Sequence, residues 1–458
     1  MRDGELGFWW RSVGGPPPPR APLEGPAETD VAIVGAGYTG LWTAYYLKLA
    51  EPSLRVVVLE RERAGYGASG RNGGWVSGFF SGPARAYERR GGRAGLLALQ
   101  RAMFETVDEV GRFLLEHGVD ADFVKDGHVT VAVNEAQAVR LRESLRDARV
   151  RGYGAQDLVE LDADALARRV RVAGARGGAF SPHVARAHPV KLLLGLAAVV
   201  ERLGVRIHES TPVSEIRPHE ARTPMGPVRA RWVVRASEGY TNRLRGLGRA
   251  LAPVNSSMIV TEPLPAQAWG EIGWQAAEVL SDGAHVYCYA QRTADGRIAI
   301  GGRGVPYRFA SGTGGAGETA QATIAQLRER LAAMFPAAAA VPLEHAWSGV
   351  LGVPRDWCVS VQADAGAGLA WAGGYVGLGV ASANLAGRTL RDLILGRTSA
   401  LTDLPWVGRR PPRWEPEPLR WLAINGLYAL YRRADRAERR RARPSRLARA
   451  LDAASGRR

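Results

Sequence analysis

The chain is short of lysine and of cysteine, and each shortage excludes something. Lys48, Lys125 and Lys191 are the only lysines among 61 Lys and Arg residues, so almost all the positive charge sits on arginine and is permanent at working pH. Cys288 and Cys358 are the only cysteines and have no CxxC spacing, which argues against a disulfide framework or a zinc site. A reducing compartment, the cytoplasm, is expected. The eight histidines show no ligand spacing such as HExxH, so no metal is expected. No apolar core follows Phe8, Trp9 and Trp10, which run into Arg11 and a Pro/Gly stretch, so no signal peptide is read there. One uncharged stretch, 365–387, is long enough to span a bilayer, but its seven glycines make a poor helix. It reads as strand, glycine turn and helix, with no transmembrane span.

The 458 residues are 46% hydrophobic, too many for one compact core and suited to two interleaved domains. Formal charge is +16, and it is uneven: residues 405–458 hold 15 Arg against 5 acids. Residues 1–28, with four consecutive prolines at 16–19, read as an extended arm. Strand 31–34, helix 38–49 and strand 56–59 form a βαβ unit. Helices are expected at 97–117, 135–150, 190–203 and 319–335, with strands at 128–133, 205–208, 213–216 and 228–235. Asp295-Gly296 suits the tight turn of a hairpin with strands 285–292 and 297–301. Because a second strand-turn-helix follows at 368–396, the nucleotide domain is expected to be assembled from separated segments.

Gly35-x-Gly37-x-x-Gly40 matches a dinucleotide fingerprint. With 56 glycines, random placement gives on the order of one such match, so context must decide. Of three matches (35/37/40, 65/67/70 and 312/314/317) only the first lies between an apolar strand and a helix with an acid, Glu60, about 20 residues on. Gly35 permits the turn, Gly37 lets backbone N–H groups approach a pyrophosphate at the helix start, and Gly40 permits close packing. Glu60 would accept both ribose hydroxyls and repel a 2′-phosphate, which disfavours NADP. Beyond it, the run from Gly65 to Trp75 has glycines, Ser69, Arg71 and Asn72 with which to wrap a second phosphate and lead toward a flavin ring. A bare NAD domain has no need of it. A flexible loop is the plainer alternative. Near the end, the glycines of 371–387 would set a helix start against the pyrimidine end of an isoalloxazine, where its dipole favours the anionic reduced ring.

These segments, VAIVGAGYTGLWTAYYL…VVVLE, GYGASGRNGG and WAGGYVGLGVASANLAGRTLRDLI, resemble the D-amino-acid-oxidase-type FAD oxidoreductases. Within that family they are most similar to the gamma-glutamylputrescine oxidase and glycine/sarcosine oxidase branch. Fainter echoes are AHPVKLL at 187–193 and ASEGYT at 236–241. The resemblance covers about 29–396. It implies an α/β fold: a Rossmann-like FAD-binding domain built from separated segments, and an α+β substrate domain with a mainly antiparallel sheet over the flavin. The expected division is 1–28 arm, 29–84, 185–245 and 346–404 FAD-binding, 85–184 mixed helical region, 246–345 substrate domain and 405–458 basic helical tail. Expected cofactor contacts are Gly35, Ala36, Gly37, Tyr38, Thr39, Gly40, Glu60, Arg61, Gly67, Ala68, Ser69, Arg71, Asn72, Gly73, Gly74, Gly374, Tyr375, Gly377, Leu378 and Gly379. Val213 would meet the adenine through its backbone. Some relatives attach flavin through a Cys, but neither cysteine lies in a matching segment, so noncovalent FAD is expected.

The implied reaction is oxidation of the C–N bond of an amine or amino acid by hydride transfer to flavin. The imine hydrolyses, and O2 or another acceptor takes the electrons. Such chemistry needs geometry and a neutral amine more than a dedicated base. Candidate substrate-lining residues are Tyr287 and Tyr289, sharing a strand face with His285, Arg303 as a bidentate partner for a carboxylate or phosphonate, and Trp75, Trp347 and Arg355. Each also has a plainer reading, as core packing for the aromatics and a surface ion pair for the arginines. In the tail, Trp414, Trp421, Leu427 and Tyr431 fit an amphipathic helix docked on the body with Arg432–Arg443 in solvent. Peripheral membrane contact is an alternative role for that charge run, and no nucleic acid is expected. Two rival functions remain at this point. A flavin-free NAD dehydrogenase would lack flavin absorbance, and a flavin-bearing regulatory or nucleic-acid-binding protein would bind nucleic acid tightly and salt-dependently.

Overall fold

The computed structural model describes residues 1–313 and 315–455. Gly314, the middle glycine of the third motif match, and the tail residues 456–458 lie outside the described residues.

The fold is organised on the strand Ala27–Val34, whose last four residues are all buried, as befits a strand covered on both faces. It pairs in parallel with Val56–Leu59 and with Gly226–Arg235. Arg206–His208 and Leu369–Gly373 extend the parallel core on either side. Among the described residues this sheet has eight strands, with Glu215–Arg217, Glu220–Thr223 and Ser360–Asp364 added antiparallel at its margins. Its strands come from three separated stretches of chain. The helices that follow the first and last glycine turns, Tyr38–Ala50 and Gly379–Ile394, pack against each other around the fully buried Trp42. The uncharged stretch at 365–387 is therefore strand, turn and helix. Among the described residues no helix is long and apolar enough to cross a membrane.

The second sheet has nine strands among the described residues and is mainly antiparallel. Leu343–Val353, Ala252–Thr261, Ile298–Gly302, Tyr289–Arg292 and Val279–Asp282 lie side by side in that order, each antiparallel to the next. Ile259, Ile300, Leu327, Leu331 and Trp274 form the core beneath it, with helix Gln321–Met334 packed on. The expected fold class, a Rossmann-like sheet plus an α+β unit with a mainly antiparallel sheet, is the one observed.

Three expectations need correction. The hairpin turn falls at Gly296 (φ 77°), but its first strand is Tyr289–Arg292, so His285 and Tyr287 precede the strand. The N-terminal arm is not simply extended. Arg2–Asp3 pairs in parallel with Leu343–Val353, and helix Phe8–Ser12 buries Phe8, Trp9 and Trp10. Burying side chains of this size stabilises by roughly 1.5–3 kcal/mol each.

The third correction concerns the tail, which docks with Arg433, Arg436, Arg439, Arg440, Arg441 and Arg443 exposed as expected, but which also buries acids that pair with the body. Helix Leu419–Arg441 buries Ile424, Tyr428, Tyr431, Ala434, Asp435 and Glu438 on one face. Trp421, expected to cover the body, is 37% exposed in the first turn of the helix. Asp435 accepts the backbone N–H groups of His285 (2.8 Å) and Val286 (3.0 Å), and Glu438 pairs with Arg140 and His285. The acids bury because each finds a donor of the body within reach.

Candidate functional site

The carboxyl end of the parallel sheet opens into a cavity of about 1210 Å³, where a ligand is expected in an open α/β sheet. The strand Ala27–Val34 ends at Gly35, whose φ of 111° and 2.7 Å approach of a would-be Cβ to the Ala236 carbonyl leave room only for glycine. Gly37 is the cap of helix Tyr38–Ala50. Gly40 lies one turn in, where a Cβ would stand 2.0 Å from the Gly35 carbonyl oxygen, so its part is helix–strand packing.

Glu60 leaves the second strand with both carboxylate oxygens engaged. They accept N–H from Ala36 (2.8 Å) and Glu62 (2.9 Å), so the side chain ties the first glycine turn to the loop after the second strand. Burial raises its pKa to about 7 against those two hydrogen bonds. Ser69 accepts the Tyr38 N–H (2.9 Å) in the first turn of the helix. Asn72 folds its own loop, donating to the Ala68 and Ser69 carbonyls and accepting from Gly74.

Of the expected cofactor contacts, Gly35, Gly37, Tyr38, Thr39, Glu60, Arg61, Gly67, Ala68, Ser69, Asn72, Val213, Tyr375, Gly377 and Gly379 line this cavity. Arg71, Gly73 and Leu378 line instead an adjoining cavity of about 670 Å³. Ala36, Gly40, Gly74 and Gly374 line neither and act through the backbone that shapes the turns. Thr39 and Tyr375 join the two ends of the site through a 3.0 Å hydroxyl contact.

The segment after strand Gly226–Arg235 carries site residues that were only an echo in the sequence. Ala236, Ser237, Glu238, Gly239, Tyr240 and Arg243 line the larger cavity. Glu238 accepts the N–H groups of Gly374 (2.9 Å) and Tyr375 (3.0 Å), and burial raises its pKa to about 7. The signal available was position, the carboxyl end of a third parallel strand. Tyr240 is matched to a polar ligand. Its hydroxyl is buried without a hydrogen-bond partner among the described residues, a state costing roughly 1–3 kcal/mol that an acceptor in the cavity would relieve. Glycine turns, a carboxylate at the end of the second parallel strand, a helix start and this hydroxyl together fit FAD.

The smaller cavity shares Ala68, Asn72, Leu351, Gly377 and Val380 with the larger. Trp75, Ser256, Tyr287, Tyr289, Arg71 and Arg303 form the rest of its polar and aromatic wall. Tyr289 bonds Ser256 (2.9 Å) and meets Trp75 edge-on at 5.9 Å. Burial raises the Tyr289 pKa, which keeps it a neutral phenol. Trp347 and Arg355 are not there. Trp347 is fully buried against Phe8 and Trp9 and donates to the Arg71 carbonyl (2.9 Å), because the docked N-terminal helix covers it. Arg355 forms a surface pair with Glu415.

Residues 30–393 match the family model for FAD dependent oxidoreductases. A gamma-glutamylputrescine oxidoreductase of Escherichia coli (strain K12) is 30% identical over 389 residues, covering 82% of this chain and 86% of that protein. A probable oxidoreductase OrdL of Haemophilus influenzae is 29% identical over 397 residues, covering 84% and 86%. The crystal structure of a glycine oxidase from Geobacillus kaustophilus shares the fold with a TM-score of 0.70 at 22% identity, over 84% of this chain and 100% of that one. The match spans both glycine turns and the sheet between them: the chain belongs to the FAD-dependent oxidoreductase family, and FAD is its cofactor.

Proposed function

We propose that this enzyme oxidises the C–N bond of an amine that also carries a carboxylate, an amino acid or an N-substituted relative of one. The observation that carries the reading is Arg303. Its guanidinium lines the smaller cavity with tyrosines for neighbours, and no carboxylate of the described residues pairs with it. The buried Arg71 stands on the same wall with Nε and Nη2 free of hydrogen bonds among the described residues. Two unneutralised guanidinium groups in a partly apolar cavity favour an anionic ligand.

Bound in the larger cavity, FAD would supply the two-electron oxidation by accepting a hydride from the carbon that bears nitrogen. The protein's contribution is placement. Arg303 fixes the carboxylate, Tyr287, Tyr289 and Trp75 confine the carbon skeleton, and the start of helix Gly379–Ile394 presents its positive end where the cavities join. The lining of the smaller cavity contains no Asp, Glu, His or Lys, which supports a reaction in which the amine enters neutral and no side chain removes its proton. The product would be an imine that water hydrolyses, with O2 as electron acceptor. The two cysteines are buried outside the larger cavity, which supports noncovalent FAD.

The test is turnover with γ-glutamylputrescine, glycine and N-alkylated glycines, the cofactor being checked first by acid precipitation. All yellow colour should leave with the supernatant, and oxygen uptake should match peroxide and carbonyl product one to one. Colour held in the pellet would refute noncovalent FAD. Dye reduction without oxygen uptake would replace O2 by another acceptor.

A further inference from the structure

The family match ends at residue 393, yet the substrate cavity continues into residues beyond it. A third cavity, of about 620 Å³, shares Tyr287, Arg303 and Leu378 with the smaller one and is walled by Ser81, His285, Trp357 and Tyr428. Tyr428 comes from helix Leu419–Arg441 and is 3% exposed, and its hydroxyl stands beside the Arg303 guanidinium. One turn further, Arg432 donates to the carbonyls of Arg303 (3.1 Å) and Gly304. On the other flank, Asp435 takes the N–H groups of His285 and Val286, next to Tyr287. His285 also stacks on Tyr431 with ring centroids 5.6 Å apart. One helix face thus holds both chain segments that bring Tyr287 and Arg303 to the cavity.

His285, Asp435 and Glu438 bring potential metal ligands within 4.8 Å of one another. Their oxygens are already taken by His285 and Val286 N–H, by Arg140 and by the Ser445 N–H (2.8 Å), so the cluster is a latch between helix and loop.

We infer that the C-terminal helix is part of the substrate site, with Tyr428 the residue that positions Arg303 for a substrate carboxylate and closes the far side of the cavity. The inference rests on the reading of Arg303 as the carboxylate partner. A long substrate would pass from the C–N bond at the flavin side, past Arg303, to the wall of Tyr428 and Trp357.

Anthranilate is a suitable probe, because its amine sits on an aromatic carbon with no hydride to give, and aniline is the same probe without the carboxylate. Binding to the full-length holoenzyme is read from perturbation of the flavin absorption band. Wild type should prefer anthranilate, and Arg303→Met should abolish the preference. Tyr428→Phe, which removes one hydroxyl, should narrow it by roughly 3- to 10-fold, as expected for one hydrogen bond. In the Arg303→Met background Tyr428→Phe should add nothing. If Tyr428→Phe destabilises the holoenzyme, Arg432→Gln carries the same expectation. Loss of the preference in Arg303→Met with full preference in both tail variants would overturn the role of the helix alone. Absence of the preference in wild type, or its survival in Arg303→Met, would overturn the carboxylate reading and this inference with it.

Discussion

Arg303→Met should lower kcat/KM for carboxylate-bearing amines by roughly a hundredfold or more, while amines without a carboxylate change little. Removing one member of a hydrogen-bonded charge pair in a desolvated site costs about 2–5 kcal/mol, and a hundredfold in rate is about 2.7 kcal/mol. Arg303 sits where the two inner cavity walls meet, and among the described residues no carboxylate pairs with it. The flavin spectrum should persist, since Arg303 is absent from the lining of the larger cavity. The measurement is steady-state kinetics on matched pairs of substrates with and without the carboxylate. An equal loss on both members of a pair would show that Arg303 supports the fold and not recognition.

Glu438→Gln should destabilise the protein by roughly 3 kcal/mol, the scale for breaking one side of a buried ion pair, and lower the apparent melting temperature by several degrees. Glu438 is 1% exposed and holds Arg140, itself 7% exposed, together with His285. Burial would raise the carboxyl pKa, but hydrogen bonds from His285 and Arg140 bring it down to about 2. A depressed carboxylate pKa gives stability that is present above the ordinary value near 4.5 and disappears as pH falls through 2. The gap between wild type and variant should therefore be widest at neutral pH and close toward pH 2. Thermal melts at pH 7 and pH 3 measure it, and a gap that widens on acidification would contradict the assignment. Truncation after Arg433 removes both Asp435 and Glu438 and is expected to lower stability further, where a peripheral tail would have been dispensable.

What could be read from the sequence was what is local. Gly35, Gly37 and Gly40 sit between a buried apolar strand and a helix within a few residues, so their turn carries its own signature, and Glu60 follows at the end of the next strand. The same holds for the turn before Gly379, where strand, glycines and helix are contiguous. Tyr240 and Glu238 were not legible in that way. Their place depends on strand Gly226–Arg235 lying beside Ala27–Val34 across some two hundred residues of sequence, and the local sign was no more than the faint ASEGYT echo at 236–241. Trp347 shows the converse problem. An aromatic beside glycines suits a cavity wall as well as a core, and only the docking of Phe8 and Trp9 decides between them. In the tail a usable signal was present. The apolar spacing points to the docked helix, but Asp435 and Glu438, which share the face of Tyr428 and Tyr431 at helical spacing, are acids that an apolar stripe does not mark.

The central claim is that this protein uses FAD to take two electrons from a carboxylate-bearing amine. The most direct measurement is anaerobic mixing of the purified holoenzyme with a panel of such amines while the flavin absorption near its visible maximum is recorded. At least one member should bleach the band completely and stoichiometrically, with readmitted oxygen restoring the colour. A flavin that stays oxidised against every amine and amino acid, yet bleaches with a substrate lacking a C–N bond, would contradict the account.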